Sequence, residues 1–325
     1  MRAMARGLRY ERLVTERANR ASAHLDRLDA LGIAALMNRE DARVVRAVAR
    51  VARDIAGAVN LIVAALRSGG RLIFVGAGTS GRLGVLEAAE CPPTFGTPPS
   101  LVQGIMAGGR AAVFRSREGA EDDARAGARA IRARARAGDV VVGVSASGVT
   151  PFVRGALTAA RRVGAKTVLV TCNKRVAARP SGAGSPAKAP RRQIVDVTIA
   201  PDPGPEVLAG STRLKAGTAT KLVLNTLTTA SMARVGKVYG NRMVDVQPRS
   251  RKLRARAARL VAELGDVSPA RARQLLAAAN GRVPVAIVMA RRRLRSAAAA
   301  EALRAAGSLR PALEQSGARR RAMRR

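Results

Sequence analysis

Two short segments of the sequence combine glycine with serine and threonine directly after apolar runs. Gly76-Ala77-Gly78-Thr79-Ser80-Gly81 follows residues 71–75, and Ser145-Ala146-Ser147-Gly148-Val149-Thr150-Pro151 follows the run that begins at residue 139. Glycine lets the backbone approach a ligand, while hydroxyls and the free N–H groups of a helix start donate to phosphate oxygens. Each segment alone is also consistent with a plain turn before a capped helix. Together they predict a sugar-phosphate site formed by Gly78, Thr79, Ser80, Ser145, Ser147, Gly148 and Thr150.

Acid–base chemistry in this chain is expected to depend on carboxylates. The single histidine, His24, lies in a polar N-terminal segment, and this disfavours Ser-His-Asp and Cys-His catalysis, in which imidazole is the base. Two cysteines, Cys91 and Cys172, and one histidine are too few for a structural zinc site, so we expect no metal. Cys91 is expected to be a small buried hydrophobic residue rather than a nucleophile.

Three places carry charged groups that could act on a substrate, and each has a structural alternative. Glu90 precedes two prolines and could be an exposed helix end. Glu121 belongs to a cluster of four acids within residues 118–123, where carboxylates favour a helix N-terminus whatever the function. Ser211 and Lys215 delimit a segment that predicts a capped helix start, and the same segment could close the phosphate site together with Glu206.

The charge balance admits nonspecific binding to polyanions and argues against specific recognition of nucleic acid. The 325 residues include 59 Lys and Arg against 22 Asp and Glu, a formal net charge of +37. Aromatic residues, which would stack on bases, are only 2% of the chain. With 47% hydrophobic and 25% charged residues the chain should fold. The sequence has neither an apolar run of about 18 residues nor an N-terminal secretory segment, so a soluble cytoplasmic protein is expected.

The elements that must position these groups alternate between strands and helices. Continuous apolar runs such as LIFV, VVVGV and TVLVT are typical of strands buried on both faces of a parallel sheet. The pattern therefore predicts an α/β fold with a doubly wound parallel sheet. Strands are predicted at 71–75, 101–106, 139–145, 166–171 and 194–199, and helices over 41–67 and from about residues 80, 118, 151 and 212.

Composition divides the chain into three predicted regions. Residues 1–40 form an N-terminal helical segment, 41–248 form the sheet domain, and 249–325 form a small helical domain with a basic tail. In the last region Ser268 and Pro269 are the residue types that begin a helix. Residues 174–192 are rich in Gly, Pro, Ser and Ala and predict a surface loop.

Four long motifs resemble the N-acetylmuramic acid 6-phosphate etherase family, whose members have a sugar-isomerase (SIS) domain and are related to the glucokinase regulatory protein. They are GAGTSGRLGVLEAAECPPTFGTPPSLVQGIMAGG at 76–109, EGAEDD at 118–123, SASGVTPF at 145–152, and GPEVLAGSTRLKAGTATKLVLNTLTTASMARVGKVYGNRMVDVQ at 204–247. The resemblance implies a cytoplasmic homodimer of SIS fold that uses no metal or organic cofactor and binds a small sugar phosphate. It also places Val149 where the family usually has arginine.

The resemblance implies a lyase that cleaves the D-lactyl ether of N-acetylmuramic acid 6-phosphate in the recycling of cell-wall sugars. Elimination across carbons 2 and 3 needs a base for the carbon 2 proton and an acid for the departing oxygen. By resemblance Glu90 is the proton donor and Glu121 the general base, while Glu206, Ser211 and Lys215 join the phosphate-binding residues. The alternative is a non-catalytic sensor of sugar phosphates, which would have no need of the two glutamates.

Overall fold

The computed structural model describes residues 13–174, 195–246 and 250–314. The chain divides into two compact units, of which the first contains residues 1–89 and 100–228 and the second contains residues 90–99 and 229–325. The first unit holds a parallel sheet, and the second holds helices and one short hairpin. The loop predicted at 174–192 lies, apart from Lys174, outside the described residues.

The first unit contains a five-stranded parallel sheet in the order β2-β1-β3-β4-β5. Every neighbouring pair in this sheet is parallel, which confirms the predicted fold class. The central strands β1 and β3 are buried along their whole length because helices cover both faces. The strands are β1 (Leu72–Gly76), β2 (Val102–Met106), β3 (Val140–Val144), β4 (Lys166–Val170) and β5 (Val197–Ile199).

Alternate residues of the sheet face different helices. On one face Ile73 and Val141 pack in a cluster with Phe152 and Leu157 of the helix that follows β3. On the other face Phe74 packs against Gly84, where an added Cβ would lie 2.8 Å from the Phe74 Cβ. The helices of this unit are α1 (Ala30–Ala49), α2 (Ala52–Arg67), α3 (Gly78–Phe95), α4 (Ala111–Phe114), α5 (Ala124–Arg132), α6 (Pro151–Arg162) and α7 (Lys215–Arg234), of which α3 and α7 extend beyond it.

Three helix predictions were wrong in their bounds. The helix predicted over 41–67 is two helices, because the chain leaves helical geometry at Val51, and the first of them begins at Ala30 rather than at residue 41. The helix predicted from residue 118 begins at Ala124, where the Asp123 carboxylate accepts the Ala126 N–H at 2.8 Å. The helix predicted from about residue 212 begins at Lys215.

The second unit is a helical cluster with its own core. Its helices are α8 (Arg251–Gly265), α9 (Pro269–Ala278), α10 (Val283–Arg292) and α11 (Ser296–Ala306), preceded by a hairpin of β6 (Val238–Tyr239) and β7 (Arg242–Met243). Ser268 caps α9 by accepting the Arg271 N–H, and Pro269 is its first residue, as predicted. Within the described ranges no helix is long and apolar enough to cross a bilayer.

Candidate functional site

The two hydroxyl-bearing segments follow neighbouring strands of the sheet. Gly76 at the end of β1 is paired in register with Val144 at the end of β3, and with Met106 of β2 on its other side. The order 2-1-3-4-5 reverses direction at β1, and ligands of such sheets bind beyond the strand ends at this switch point. The topology therefore brings the Gly76–Gly81 and Ser145–Pro151 segments to the same edge of the sheet.

The first segment is a tight turn in which glycine is sterically required. A Cβ on Gly76 would lie 2.7 Å from the Gly81 nitrogen, and a Cβ on Gly81 would lie 2.7 Å from the Gly76 carbonyl oxygen. Gly78 has a φ of +52°, which L side chains rarely adopt. Thr79 and Ser80 lie within the first turn of α3, where backbone N–H groups lack helical acceptors. Both side chains are half-buried and retain access to solvent.

The second segment is held together by its own hydroxyl groups. Ser145 is 3% exposed, and its Oγ accepts the Gly148 N–H at 3.0 Å and lies 2.8 Å from the Thr150 Oγ1. Thr150 precedes α6 as predicted, but its side chain does not cap the helix because the hydroxyl is bonded to Ser145. Ser147 is half-buried and makes longer contacts, at 3.4 Å to the Val149 nitrogen and 3.5 Å to Ser145.

The turn after β4 supports the second segment. This supporting role of the turn was not predicted from the sequence. Thr171 donates from its Oγ1 to the Ala146 carbonyl at 3.1 Å, and the Cys172 N–H donates to the same oxygen at 2.9 Å. Asn173 donates from its Nδ2 to the Ser147 carbonyl at 3.4 Å. Residues after adjacent strands therefore fix the backbone around the candidate phosphate-binding hydroxyls. The single run Thr171-Cys172-Asn173 after a buried strand was the only sequence signal for this role.

Glu121 lines a cleft of about 270 Å³ next to the first segment. The cleft also contains Ala77 and Gly78 from the turn after β1 and Arg117 and Glu118 from the turns before α5. The Glu121 carbonyl oxygen accepts the Phe152 N–H of α6 at 2.9 Å, which ties the glutamate to the helix that follows the second segment. The remaining lining residues are Arg82, Met106, Ala107, Ala112, Ser116, Gly119 and Ala120.

Glu90 lies within helix α3 and not at its end. The helix continues through Pro92 and Pro93 to Phe95, although neither proline has an N–H to donate to the carbonyl four residues earlier. Glu90 is exposed, is not among the residues that line the cleft, and belongs to the second compact unit. Cys91, the next residue, is buried and is not part of a disulfide, in agreement with its predicted structural role.

Glu206 and Lys215 form a buried polar cluster at the start of α7. The Glu206 carboxylate accepts the N–H groups of Lys215 at 2.8 Å and Ala216 at 2.9 Å, so it caps the helix in place of Ser211. The Lys215 ammonium is completely buried and bonds the Glu40 carboxylate at 2.6 Å, and Glu40 also accepts from Asn19 at 2.8 Å. Ser211 is half-buried in the turn before the helix. A direct contact of Glu206, Ser211 or Lys215 with substrate stays a prediction.

Burial and hydrogen bonds move the pKa values of these two carboxyl groups in opposite directions. Burial raises the pKa of Glu206 above its usual value, and this outweighs the two backbone N–H bonds that lower it. Burial also raises the pKa of Glu40, but hydrogen bonds from Lys215 and Asn19 and the positive charge of Lys215 bring it below its usual value. The Glu40 carboxyl group is therefore ionised near neutral pH.

Another buried carboxylate, Glu87, connects α3 and α7, and it was not predicted from the sequence. Glu87 is 4% exposed, accepts from the Lys221 ammonium at 2.6 Å and accepts from the Thr228 hydroxyl at 2.7 Å. Its position three residues before Glu90 was the only signal in the sequence. Across the described residues, no three His, Cys, Asp or Glu side chains converge in a way that could hold a metal ion.

Comparison with known proteins gives relatives that span nearly the whole chain. N-acetylmuramic acid 6-phosphate etherase from Gloeobacter violaceus is 54% identical over 93% of this chain and 95% of its own length. The protein of the same name from Geobacillus thermodenitrificans is 48% identical over 94% of this chain and 99% of its own length. A family model, Glucokinase regulatory protein N-terminal SIS domain, matches residues 54–161.

Among solved structures, phosphoheptose isomerase GmhA from Neisseria gonorrhoeae is 19% identical and covers 62% of this chain and 99% of that chain, with a TM-score of 0.45. That likeness is too low to carry an argument. The two relatives that match over almost their full length decide the family.

Proposed function

The chain belongs to the N-acetylmuramic acid 6-phosphate etherase family, and we propose that it cleaves the D-lactyl ether of N-acetylmuramic acid 6-phosphate. The products are N-acetylglucosamine 6-phosphate and D-lactate, so the enzyme is a carbon–oxygen lyase of cell-wall sugar recycling. The observation that carries this proposal is the cleft in which Glu121 lies beside Gly78 at the carboxyl end of β1.

In the proposed reaction Glu121 takes the proton from carbon 2 while the bond between carbon 3 and the ether oxygen breaks. The leaving oxygen takes a proton from Glu90 and departs as D-lactate. Water then adds across the carbon 2–carbon 3 double bond, with hydroxyl going to carbon 3 and a proton to carbon 2. The sum is one ether and one water converted to one alcohol and one hydroxy acid.

The phosphate group is proposed to bind at the switch point of the sheet. The first turn of α3 presents backbone N–H groups and the positive end of the helix dipole, and both favour an anion. Gly78, Thr79 and Ser80 supply this turn, and the Ser145–Pro151 segment supplies neutral hydroxyl donors at the neighbouring strand end. Roles for Glu206, Ser211 and Lys215 in closing this site are part of the same proposal.

Turnover in heavy water tests the function and the assignment of the base together. Lactate release with deuterium at carbon 2 of the product is expected, because the proton returned to carbon 2 comes from solvent. Product without deuterium would exclude the elimination. Binding of the sugar phosphate without any lactate release would favour the alternative, a non-catalytic sensor.

Variants separate the two glutamates. Glu121→Gln should lose both lactate release and exchange at carbon 2, and Glu90→Gln should lose lactate release but retain some exchange. Each rate should fall by about 10² to 10⁴ if the group is a general acid or base. Asp122→Asn is the matched control, because Asp122 is exposed and does not line the cleft. An active Glu121→Gln enzyme would contradict the assignment of the base.

A cytoplasmic homodimer completes the proposal. Two large apolar side chains of α1, Leu31 and Val45, are 77% and 64% exposed. They are 14 residues apart, which is close to four helical turns, and so lie on one side of the helix. Exposed large apolar side chains on one side of a helix are suited to contact with a second copy. Sedimentation should give the mass of a dimer, and a monomer at micromolar concentration would contradict this part.

A further inference from the structure

The cleft that contains Glu121 is lined by two arginines with different surroundings. Arg82 is committed to the backbone, since its Nε donates to the Val113 carbonyl at 2.8 Å and its Nη2 donates to the Ala112 carbonyl at 2.9 Å. Arg117 is exposed, and within the described part of the chain its guanidinium makes neither a hydrogen bond nor an ion pair. Arg117 is therefore the arginine of this cleft whose guanidinium is available to an anion.

The stem of Arg117 is positioned by a glycine. A Cβ on Gly108 would lie 3.2 Å from the Arg117 Cδ and 3.3 Å from its Cβ, so the arginine stem passes closely over this glycine. Gly108 has a φ of +80°, a conformation that glycine adopts without strain. The Arg117 carbonyl accepts the Ala120 N–H at 3.4 Å in the turn that leads to Glu121. Arg117 and Glu121 therefore belong to one short segment of the cleft wall.

The proposed substrate presents two anionic groups, and the chemistry of the base distinguishes them. Glu121 must reach the proton on carbon 2, and the lactyl ether is on the adjacent carbon 3, whereas the phosphate is on carbon 6. A lactyl carboxylate next to Glu121, with Glu118 in the same cleft, would experience repulsion between like charges. The positive charge of Arg117 on the same segment offsets this repulsion, and a guanidinium binds a carboxylate with two parallel hydrogen bonds.

We propose that Arg117 binds the carboxylate of the lactyl group and thereby selects ethers that carry an acidic leaving group. This inference rests on the proposed function. It assigns the phosphate to the first turn of α3 and the carboxylate to Arg117, so the two ends of the substrate have separate anion contacts. Arg117 is a specificity-determining residue in this scheme, and Glu90 and Glu121 perform the proton transfers.

The test compares the natural substrate with its lactamide analogue, in which a neutral amide replaces the carboxylate. The wild-type enzyme should favour the carboxylate by about 10- to 100-fold in kcat/KM, the range expected for hydrogen bonds to a charged group. Arg117→Gln should abolish this preference, and Arg117→Lys should retain part of it because the charge remains and the fork is lost. Arg125→Gln is the matched control, since Arg125 is exposed on α5 outside the cleft.

Inhibition by N-acetylglucosamine 6-phosphate, which lacks the lactyl group, separates the two anion contacts. Its inhibition constant should be the same for wild type and Arg117→Gln. A larger inhibition constant in Arg117→Gln, which means weaker binding, would place the phosphate at Arg117 and overturn the proposal. An unchanged carboxylate preference in Arg117→Gln would also overturn it. Absence of lactate release from the wild-type enzyme would instead defeat the proposed function, so the two failures are distinguishable.

Discussion

At the scale of single residues, the serines of the second segment have separable roles. The Ser145 hydroxyl is buried and serves both Gly148 and Thr150, so it maintains the shape of the loop. The Ser147 hydroxyl makes only long contacts within the protein and remains partly exposed. A hydroxyl that the fold does not use is the better candidate for a substrate ligand.

Alanine substitutions should separate these roles. Ser145→Ala should lower the free energy of unfolding by about 1 to 2 kcal/mol, because the Gly148 N–H and Thr150 lose a buried partner. Ser147→Ala should change it by less than about 0.5 kcal/mol, while raising KM for the phosphorylated sugar. Urea unfolding and steady-state kinetics of both variants measure the two effects. The prediction fails if Ser147→Ala binds substrate as tightly as wild type.

Residues whose role depends on neighbours in sequence were predictable, and those whose role depends on distant contacts were not. Ser268 and Pro269 begin a helix as predicted because capping is local. Lys215 could not be assigned to Glu40, which precedes it by 175 residues. Glu206 caps α7 from nine residues upstream, and no helix-capping pattern anticipates that distance. The contact between Lys215 and Glu40 exists only once the chain has folded, so local sequence patterns cannot predict it.

At the scale of elements, the same reasoning explains which helices and strands were found. Strands β1 and β3 were predictable because continuous apolar residues are required on both faces of a covered strand. The break between α1 and α2 has neither glycine nor proline, so periodicity alone merged the two helices. The helix was predicted to start at the first acid of the cluster, Glu118, but the residue that caps it is the last acid, Asp123. Residues 118–122 therefore form turns before the helix.

Helix α3 approaches the sheet at a distance that only glycine permits. Gly84→Ala should lower the free energy of unfolding by about 1 to 3 kcal/mol, because its Cβ would lie 2.8 Å from the Phe74 Cβ. Gly57→Ala in α2 is the matched control, since its Cβ would meet only the Val197 Cγ2, at 3.9 Å. That control should be stabilised by about 0.5 to 1 kcal/mol through helix propensity. Thermal unfolding of both variants checks the contrast, and equal effects would contradict the close approach.

At the scale of the whole molecule, the Glu40–Lys215 pair connects distant parts of the first unit. Asn19 contributes from the N-terminal segment, Glu40 from α1 and Lys215 from α7. Removing Lys215 takes the closest cation from the buried Glu40 carboxylate and leaves it with Arg43, at 3.2 Å, and Asn19. Breaking a buried pair in this way costs about 3 to 5 kcal/mol. This pair therefore makes the packing of three sequence regions interdependent.

A double-mutant cycle on this pair should show strong coupling. Lys215→Met should destabilise the protein by about 3 to 5 kcal/mol, and Glu40→Gln in the same chain should restore a large part of that loss. Chemical unfolding of the two single variants and the double variant gives the coupling energy. Additive changes in the unfolding free energy would show that Glu40 and Lys215 are not energetically coupled.

The pair also predicts how stability depends on pH. The pKa of Glu40 is lower in the folded protein than in the unfolded chain, so its contribution is complete above the unfolded pKa of about 4.3. That contribution should be lost as the pH falls through the lower folded pKa. Unfolding free energies from pH 6 downward should decline less steeply in Glu40→Gln than in wild type. If the unfolding free energies of wild type and Glu40→Gln declined in parallel with falling pH, the lowered pKa of Glu40 would be contradicted.

The division of the chain into units has a consequence for its synthesis. Residues 90–99 belong to the second unit, and a Cβ on Gly96 would lie 2.3 Å from the Asp245 carbonyl oxygen, so the two backbones are in direct contact. Asp245 leaves the ribosome about 150 residues after Gly96, a delay of roughly 8 to 30 s at about 5 to 20 residues per second. During translation residues 90–99 are therefore without their permanent neighbours for the whole time in which residues 100–228 of the first unit are made.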